Sequence, residues 1–123
     1  MAKSSKSRPK PVLQPRIRVR LGNDIAIGPG KADLLEQVRI SGSISRAALA
    51  MGLSYMRAWS LIKIMNRCFK EPLVESVRGG TSGGGARLTP TGEEVLSLYR
   101  EIEAASLAAG QSPWRKLQAL VRV

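Results

Sequence analysis

The stretch Ala47-Ala-Leu-Ala-Met-Gly-Leu-Ser-Tyr-Met-Arg-Ala-Trp-Ser-Leu61 limits the folds open to this 123-residue chain more than any other. Two helices that cross steeply over a short turn bring their backbones close. Small residues must then stand at the crossing, and a permissive residue in the turn. Ala48 and Gly52 hold those places. Ala47, Met51, Leu53, Ala58 and Leu61 are apolar at the spacing that packs the pair together and onto a third helix. The pattern predicts a helix-turn-helix. The competing reading is an ordinary helical hairpin in a small bundle.

The flanking sequence supplies the rest of a small domain. Leu34, Leu35 and Val38 have helical spacing from Lys31 to about Ile40, and Ser41-Gly42 ends that helix. Ser43 is placed to cap a helix from Ile44 to Met51, and Ser54 to cap one from Tyr55 to about Phe69. The latter carries Ala58, Leu61, Ile62 and Met65 on one face. After Pro72, Leu73 to Arg78 reads as a strand, Gly79 to Gly85 as a flexible loop and Ala86 to Leu88 as a returning strand. Thr89 then caps a long helix, with Pro90 at its first position and Glu93 and Glu94 near its positive end.

At the N-terminal side, Arg16-Ile-Arg-Val-Arg-Leu21 alternates charged and apolar residues, the pattern of a half-buried strand. Gly22-Asn23-Asp24 supplies turn residues, and Ile25 and Ile27 resume the alternation briefly. The expected order is strand, three helices, hairpin, helix. The chain is therefore expected to be mainly α with a small β hairpin, a winged helix-turn-helix with a long C-terminal dimerisation helix. Residues 1–15, with three prolines and three serines, read as a disordered basic arm, 16–110 as the domain, and 111–123 as a short helical extension.

Charge narrows the partner. Twenty Lys and Arg stand against nine Asp and Glu, a net +11. Lys3, Lys6, Arg8, Lys10, Arg16, Arg18 and Arg20 lie in the first twenty residues, which contain no acid. Such an arm binds phosphates by releasing counterions, or else simply keeps the protein soluble. No run of about 18 apolar residues and no signal-peptide core is present, so a cytoplasmic protein with a polyanionic partner and no membrane is expected.

Several chemistries are excluded by the residues available. Without histidine there is no Ser-His or Cys-His pair and no His-ligated zinc. Cys68 is the one cysteine and reads as a small apolar residue near a helix end. Glu93-Glu94 is the only adjacent carboxylate pair, and its place at a helix N-terminus accounts for it. The glycine-rich loop lacks the Gly-Lys-Ser/Thr of a phosphate-binding loop. An enzyme is not expected.

If the helix-turn-helix reading holds, the outward face of its second helix enters the major groove of double-stranded DNA. Ser54, Tyr55, Met56, Arg57, Ser60 and Lys63 lie on that face, with no acid among them. Arg57 suits a guanine edge, Tyr55 and Met56 thymine methyls, and the hydroxyls phosphates. Arg46, Lys63, Arg78 and Arg87 are candidate phosphate contacts, and Gly83, Gly84 and Gly85 would let a wing approach the minor groove. Trp59 reads as core more readily than as a base contact. Val95, Leu98, Tyr99, Ile102, Ala105 and Ala109 form an apolar stripe, read as a homodimer interface against the plainer reading of intrachain core. Beyond Gly110, Trp114, Leu117, Leu120 and Val121 share one side of a further helical turn.

The run Gly42 to Trp59, then Met65-Asn66, Pro72-Leu-Val74, Gly79-Gly80, Gly83-Gly84-Gly85-Ala86 and Leu88-Thr89-Pro90-Thr91-Gly92 resembles the DNA-binding domain of the ModE molybdate-responsive regulators. The resemblance covers residues 16–108 and implies a LysR-like winged helix in a dimeric, cytoplasmic bacterial regulator. It implies an operator-binding protein that commonly represses molybdate-uptake genes. Carried over by position, Ser54, Tyr55, Met56, Arg57 and Ser60 would face the groove, and Gly83 to Arg87 would lie in the wing. The family senses molybdate through a C-terminal part built of small β-barrels, for which the residues after the last helices do not suffice. No cofactor is therefore expected, molybdate entering only through the resemblance. Two other classes compete: an RNA- or ribosome-associated basic protein, and a module that pairs with a sensor-bearing regulator.

Overall fold

Hydroxyl side chains set where three of the helices begin. Ser43 Oγ accepts the Arg46 N–H at 3.2 Å, Ser54 Oγ the Arg57 N–H at 3.0 Å, and Thr89 Oγ1 the Gly92 N–H at 2.9 Å. Each satisfies a donor that the first helical turn leaves free. These caps, seen in a computed structural model that describes residues 9–78 and 85–122, coincide with the positions expected from sequence.

The elements run β1 (Val19–Leu21), β2 (Asp24–Ile27), α1 (Pro29–Ser41), α2 (Ile44–Met51), α3 (Tyr55–Cys68), β3 (Val74–Val77), β4 (Gly85–Leu88), α4 (Pro90–Ala109) and α5 (Gln111–Gln118). Helix α1 supplies the centre of the core through Ala32, Leu34, Leu35 and Val38. Ala47 and Ala48 of α2, then Ala58, Ile62 and Met65 of α3, close over it. Leu73, Val74, Ala86 and Leu88 cover one side, and Leu96 and Tyr99 of α4 another. Fully burying one such leucine or isoleucine is worth about 1.5–3 kcal/mol, so this cluster dominates the domain's stability.

The β3–β4 hairpin is antiparallel, with Val74 opposite Leu88 and Val77 opposite Gly85. Its inner residues alternate with the exposed Glu75 and Arg87, so one face packs on the helices. Gly85, expected in the loop, belongs to β4. A Cβ there would lie 2.7 Å from the Gly42 carbonyl oxygen, and the neighbouring Ala86 N–H donates to that same oxygen at 3.0 Å. The glycine lets β4 pack against the end of α1, an intrachain need. Gly83 and Gly84 lie outside the described residues.

The N-terminal segment differs from its expected form. Only Val19–Leu21 forms a strand, and all three residues are exposed, Val19 by 41% and Leu21 by 57%. It pairs with β2 through a turn at Gly22-Asn23, so the domain has a second hairpin. Among the described residues nothing covers the faces of β1, so charge alternation there does not mark a buried side. The alternation in burial lies upstream instead: Pro11, Leu13, Pro15 and Ile17 are half-buried and the residues between them exposed. Two of the four are prolines, which cannot donate to a ladder. The segment is held by other means. The Tyr99 hydroxyl donates to the Ile17 carbonyl at 2.7 Å, and Leu13 and Pro15 lie with Leu107, Trp114 and Leu117 at the α4–α5 elbow.

Helix α4 divides the residues of its apolar stripe between core and surface. Tyr99, expected at a dimer interface, is buried inside the chain, and Val95 packs against the core. Leu98, Ile102, Ala105 and Ala109 stand on the neighbouring stripe and are exposed. The reason is angular, because residues 92, 95, 96 and 99 face α1 and the hairpin while 98, 102, 105 and 109 turn away.

Candidate nucleic-acid interface

Gly52 takes φ +68° between α2 and α3, a left-handed conformation that favours glycine. Its turn is closed by the Leu53 N–H, which donates to the Ala48 carbonyl at 2.9 Å. Ala48 is buried at this crossing, as the spacing of small residues requires. The turn fixes the direction of α3, whose buried residues Ala58, Ile62 and Met65 hold it to the core.

The opposite face of α3 is open. Ser54, Tyr55, Met56, Arg57, Ser60 and Lys63 are all exposed, Tyr55 by 50% and Met56 by 71%. Neither Arg57 nor Lys63 has an ion-pair partner within 4.0 Å among the described residues. An exposed methionine and tyrosine beside unpaired cations, with no acid on the face, form a surface ready for a polyanion with apolar features.

Two hairpins flank this helix. On one side the wing meets α3 across a cleft of about 220 Å³ lined by Ser43, Ile44, Ser45, Tyr55, Trp59, Ser76, Gly85 and Ala86. Trp59 is half-buried, packing on the core with part of its ring and lining this cleft with the rest. Arg46 is exposed on α2 and Arg78 just beyond the end of β3. Arg87 is exposed too, but its Nε donates to Glu75 Oε2 at 2.9 Å, so it is less available to a phosphate than Arg78.

On the other side β2 lies against α3, and Arg67 pairs with Asp24 at 3.2 Å. Lys31, in the first turn of α1, has its ammonium pKa lowered by burial first and by the Arg57 guanidinium second. Arg18 adds to that lowering, while Cys68 and Asp24 oppose it. Sequence reasoning overlooked Lys31, because only the crossing of α1 over α3 brings it near Arg57.

A second overlooked residue is Asn66. Its Oδ1 accepts the N–H groups of Leu73 at 2.8 Å and Val74 at 3.2 Å, and its Nδ2 donates to the Val74 carbonyl at 3.2 Å. The side chain thus behaves as one residue of a strand and ties the wing to the end of α3. No periodicity marks such a residue.

Residues 31–93 match the family described as bacterial regulatory helix-turn-helix protein, lysR family. The molybdenum transport protein ModE of Azotobacter vinelandii is 41% identical over 92 residues, which are 72% of this chain and 34% of that protein. The molybdenum-pterin-binding protein MopB of Rhodobacter capsulatus is 44% identical over 78 residues, 63% of this chain and 29% of that one. The DNA-binding transcriptional dual regulator ModE of Escherichia coli (strain K12) is 39% identical over 83 residues, 68% of this chain and 32% of that one. The chain spans about a third of the length of these curated relatives. Among solved structures, a MarR family transcription regulator superposes with a TM-score of 0.54 over 76% of this chain and 68% of that one, at 18% identity. That likeness is one of fold.

Proposed function

Because this chain belongs to the bacterial regulatory helix-turn-helix proteins of the lysR family, we propose that it regulates transcription by laying α3 in the major groove of operator DNA as a homodimer. The observation that carries this reading is the composition of the open face of α3. Arg57 reads a base edge, Tyr55 and Met56 meet thymine methyls, and Ser54 and Ser60 bond phosphates. Arg46, Lys63, Arg78 and Arg87 add charge around them, supplying affinity without sequence preference.

Two copies join through Leu98, Ile102, Ala105 and Ala109. These form a continuous exposed stripe on α4, and paired half-sites one helical turn apart call for paired modules. The similarity to ModE and MopB supports target genes concerned with molybdenum. Repression is the expected sign, since blocking an operator needs only the bound body. On this reading the link to molybdenum lies in the genes controlled.

Selecting bound duplexes from a random DNA pool at about 150 mM salt, with and without molybdate, tests this reading. An enriched inverted repeat with half-sites one turn apart supports it. Salt-sensitive binding with no enrichment defeats sequence-specific regulation and favours an RNA partner or a sensor-bearing protein partner. At an enriched site, Arg57→Ala weakens binding by about 1–3 kcal/mol and relaxes one base position. An equal loss on every sequence would make Arg57 a phosphate contact.

A further inference from the structure

The domain places positive charge on the β2 side of α3 at a cost to its own stability. Lys31 stands in the first turn of α1, where the helix dipole disfavours a cation, and that turn contains no acid to offset it. Its side chain is half-buried rather than free in solvent. The charges that bear on it from the packed elements are those of Arg57 of α3, Asp24 of β2, and Arg18 just ahead of β1, with the Cys68 thiol of α3 as a further titratable group. Asp24 is engaged by Arg67, and the Arg18 stem crosses the start of α1, its Cγ 3.2 Å from where a Cβ on Gly28 would lie. Among the described residues, neither Arg18 nor Lys31 has a carboxylate within 4.0 Å. Arg20, on the same hairpin, is exposed as well. Like charges gathered this way repel, and a polyanion relieves the repulsion.

We propose that Arg18 and Lys31 form a second flank of the DNA interface, binding the phosphate backbone on the side of α3 opposite the β3–β4 wing. The β1–β2 hairpin and the first turn of α1 then act as a counterpart to that wing. Tyr55 and Trp59 line the cleft to the wing on one side, and on the other β2 packs on α3 with Asp24 paired to Arg67. This inference rests on the reading of α3 as the groove-binding helix. It differs in assigning sequence-independent affinity to residues outside the helix-turn-helix and outside residues 1–15.

The test uses the full chain with Arg18→Gln, Lys31→Gln and the double substitution. Duplex binding is followed by fluorescence anisotropy from about 50 to 200 mM salt, on an enriched duplex and on a scrambled one. Each single substitution is expected to reduce the slope of log K against log[salt] by about 0.9, and the double by about twice that, equally on both duplexes. Thermal melting of the free protein should show the Lys31 variant no less stable than the parent. Lys31→Arg should restore the slope.

An unchanged slope in both single variants overturns the proposal, as does a loss confined to the enriched duplex. A weakened variant with a lowered melting temperature that Lys31→Arg does not restore also overturns it, because that marks a packing role. If the parent itself shows no salt-dependent duplex binding, the α3 reading has failed. If the parent binds and Arg57→Ala weakens it while these variants do not, only the second flank is lost.

Discussion

Asn66 Oδ1 lies 2.8 Å from the Leu73 nitrogen that donates to it. With its two bonds to Val74, this side chain sets where the wing leaves the end of α3. One side chain thus joins the wing to α3. The three bonds are part-buried, so water replaces them poorly when they are lost.

Asn66→Ala is therefore expected to destabilise the domain by about 2–3 kcal/mol, at roughly 1 kcal/mol per bond. Urea denaturation measures this. DNA affinity should fall further than the unfolded fraction explains, because the surviving wing is no longer placed. An Asn66→Ala protein with parental stability and affinity would show the clamp to be dispensable.

Glycines at close approaches should behave oppositely to one in open space. A Cβ on Gly92 would lie 2.1 Å from the Leu73 carbonyl oxygen, whereas one on Gly30 would meet nothing within 4 Å. Gly92→Ala forces backbone apart and should cost about 1–3 kcal/mol or more. Gly30→Ala should stabilise by roughly 0.5 kcal/mol by narrowing the unfolded ensemble. Thermal melting of the two variants gives the comparison, and a stabilised Gly92→Ala would contradict the packing described.

Tyr99 makes stability depend on alkaline pH. Its phenol pKa is raised above the ordinary 10.0 by burial first and by Glu103 second, and its hydroxyl donates to Ile17. The fold favours the protonated phenol. That contribution is present below about pH 10 and is lost as pH rises through the raised value. Lys31 acts in the opposite sense, since a lowered ammonium pKa lets stability rise with pH towards 10.5. The difference between parent and Tyr99→Phe isolates the tyrosine. The phenylalanine variant should be about 1 kcal/mol less stable at neutral pH and should converge on the parent above pH 10. A constant difference across that range would show that Tyr99 does not titrate with folding.

Ile102→Glu separates assembly from folding. Ile102 is 45% exposed on the outward stripe of α4, so a carboxylate there should leave the core intact. Sedimentation should show the parent as a dimer and the variant as a monomer, with the parent's preference for a paired site over a single half-site lost in parallel. A variant that stays dimeric would move the interface away from this stripe.

Much of the fold was legible in local signals. Ser43, Ser54 and Thr89 cap where hydroxyl residues precede apolar periodic runs, and the glycines at 42 and 52 adopt the left-handed turns that end α1 and α2. The open face of α3 was legible too, because helical periodicity opposes it to Ala58, Ile62 and Met65. Arg16 to Leu21 misled, since alternation states only that two sides differ and not that anything covers one of them. Tyr99 and Ile102 are both apolar-stripe residues by sequence, and their separation into core and surface depends on the angle at which α4 lies on α1.

The sequence by itself determined the helices, their ends, the turn between α2 and α3, and which side of α3 stays open. These follow from periods, caps and turn residues, which act over a few neighbours along the chain. Only the tertiary structure decided that Asn66 completes the wing, that Gly85 and Gly92 permit close backbone approach, and that the Arg57 charge bears on Lys31. Those relations join residues 7 to 43 positions apart, and their distances depend on how whole elements cross rather than on any local preference.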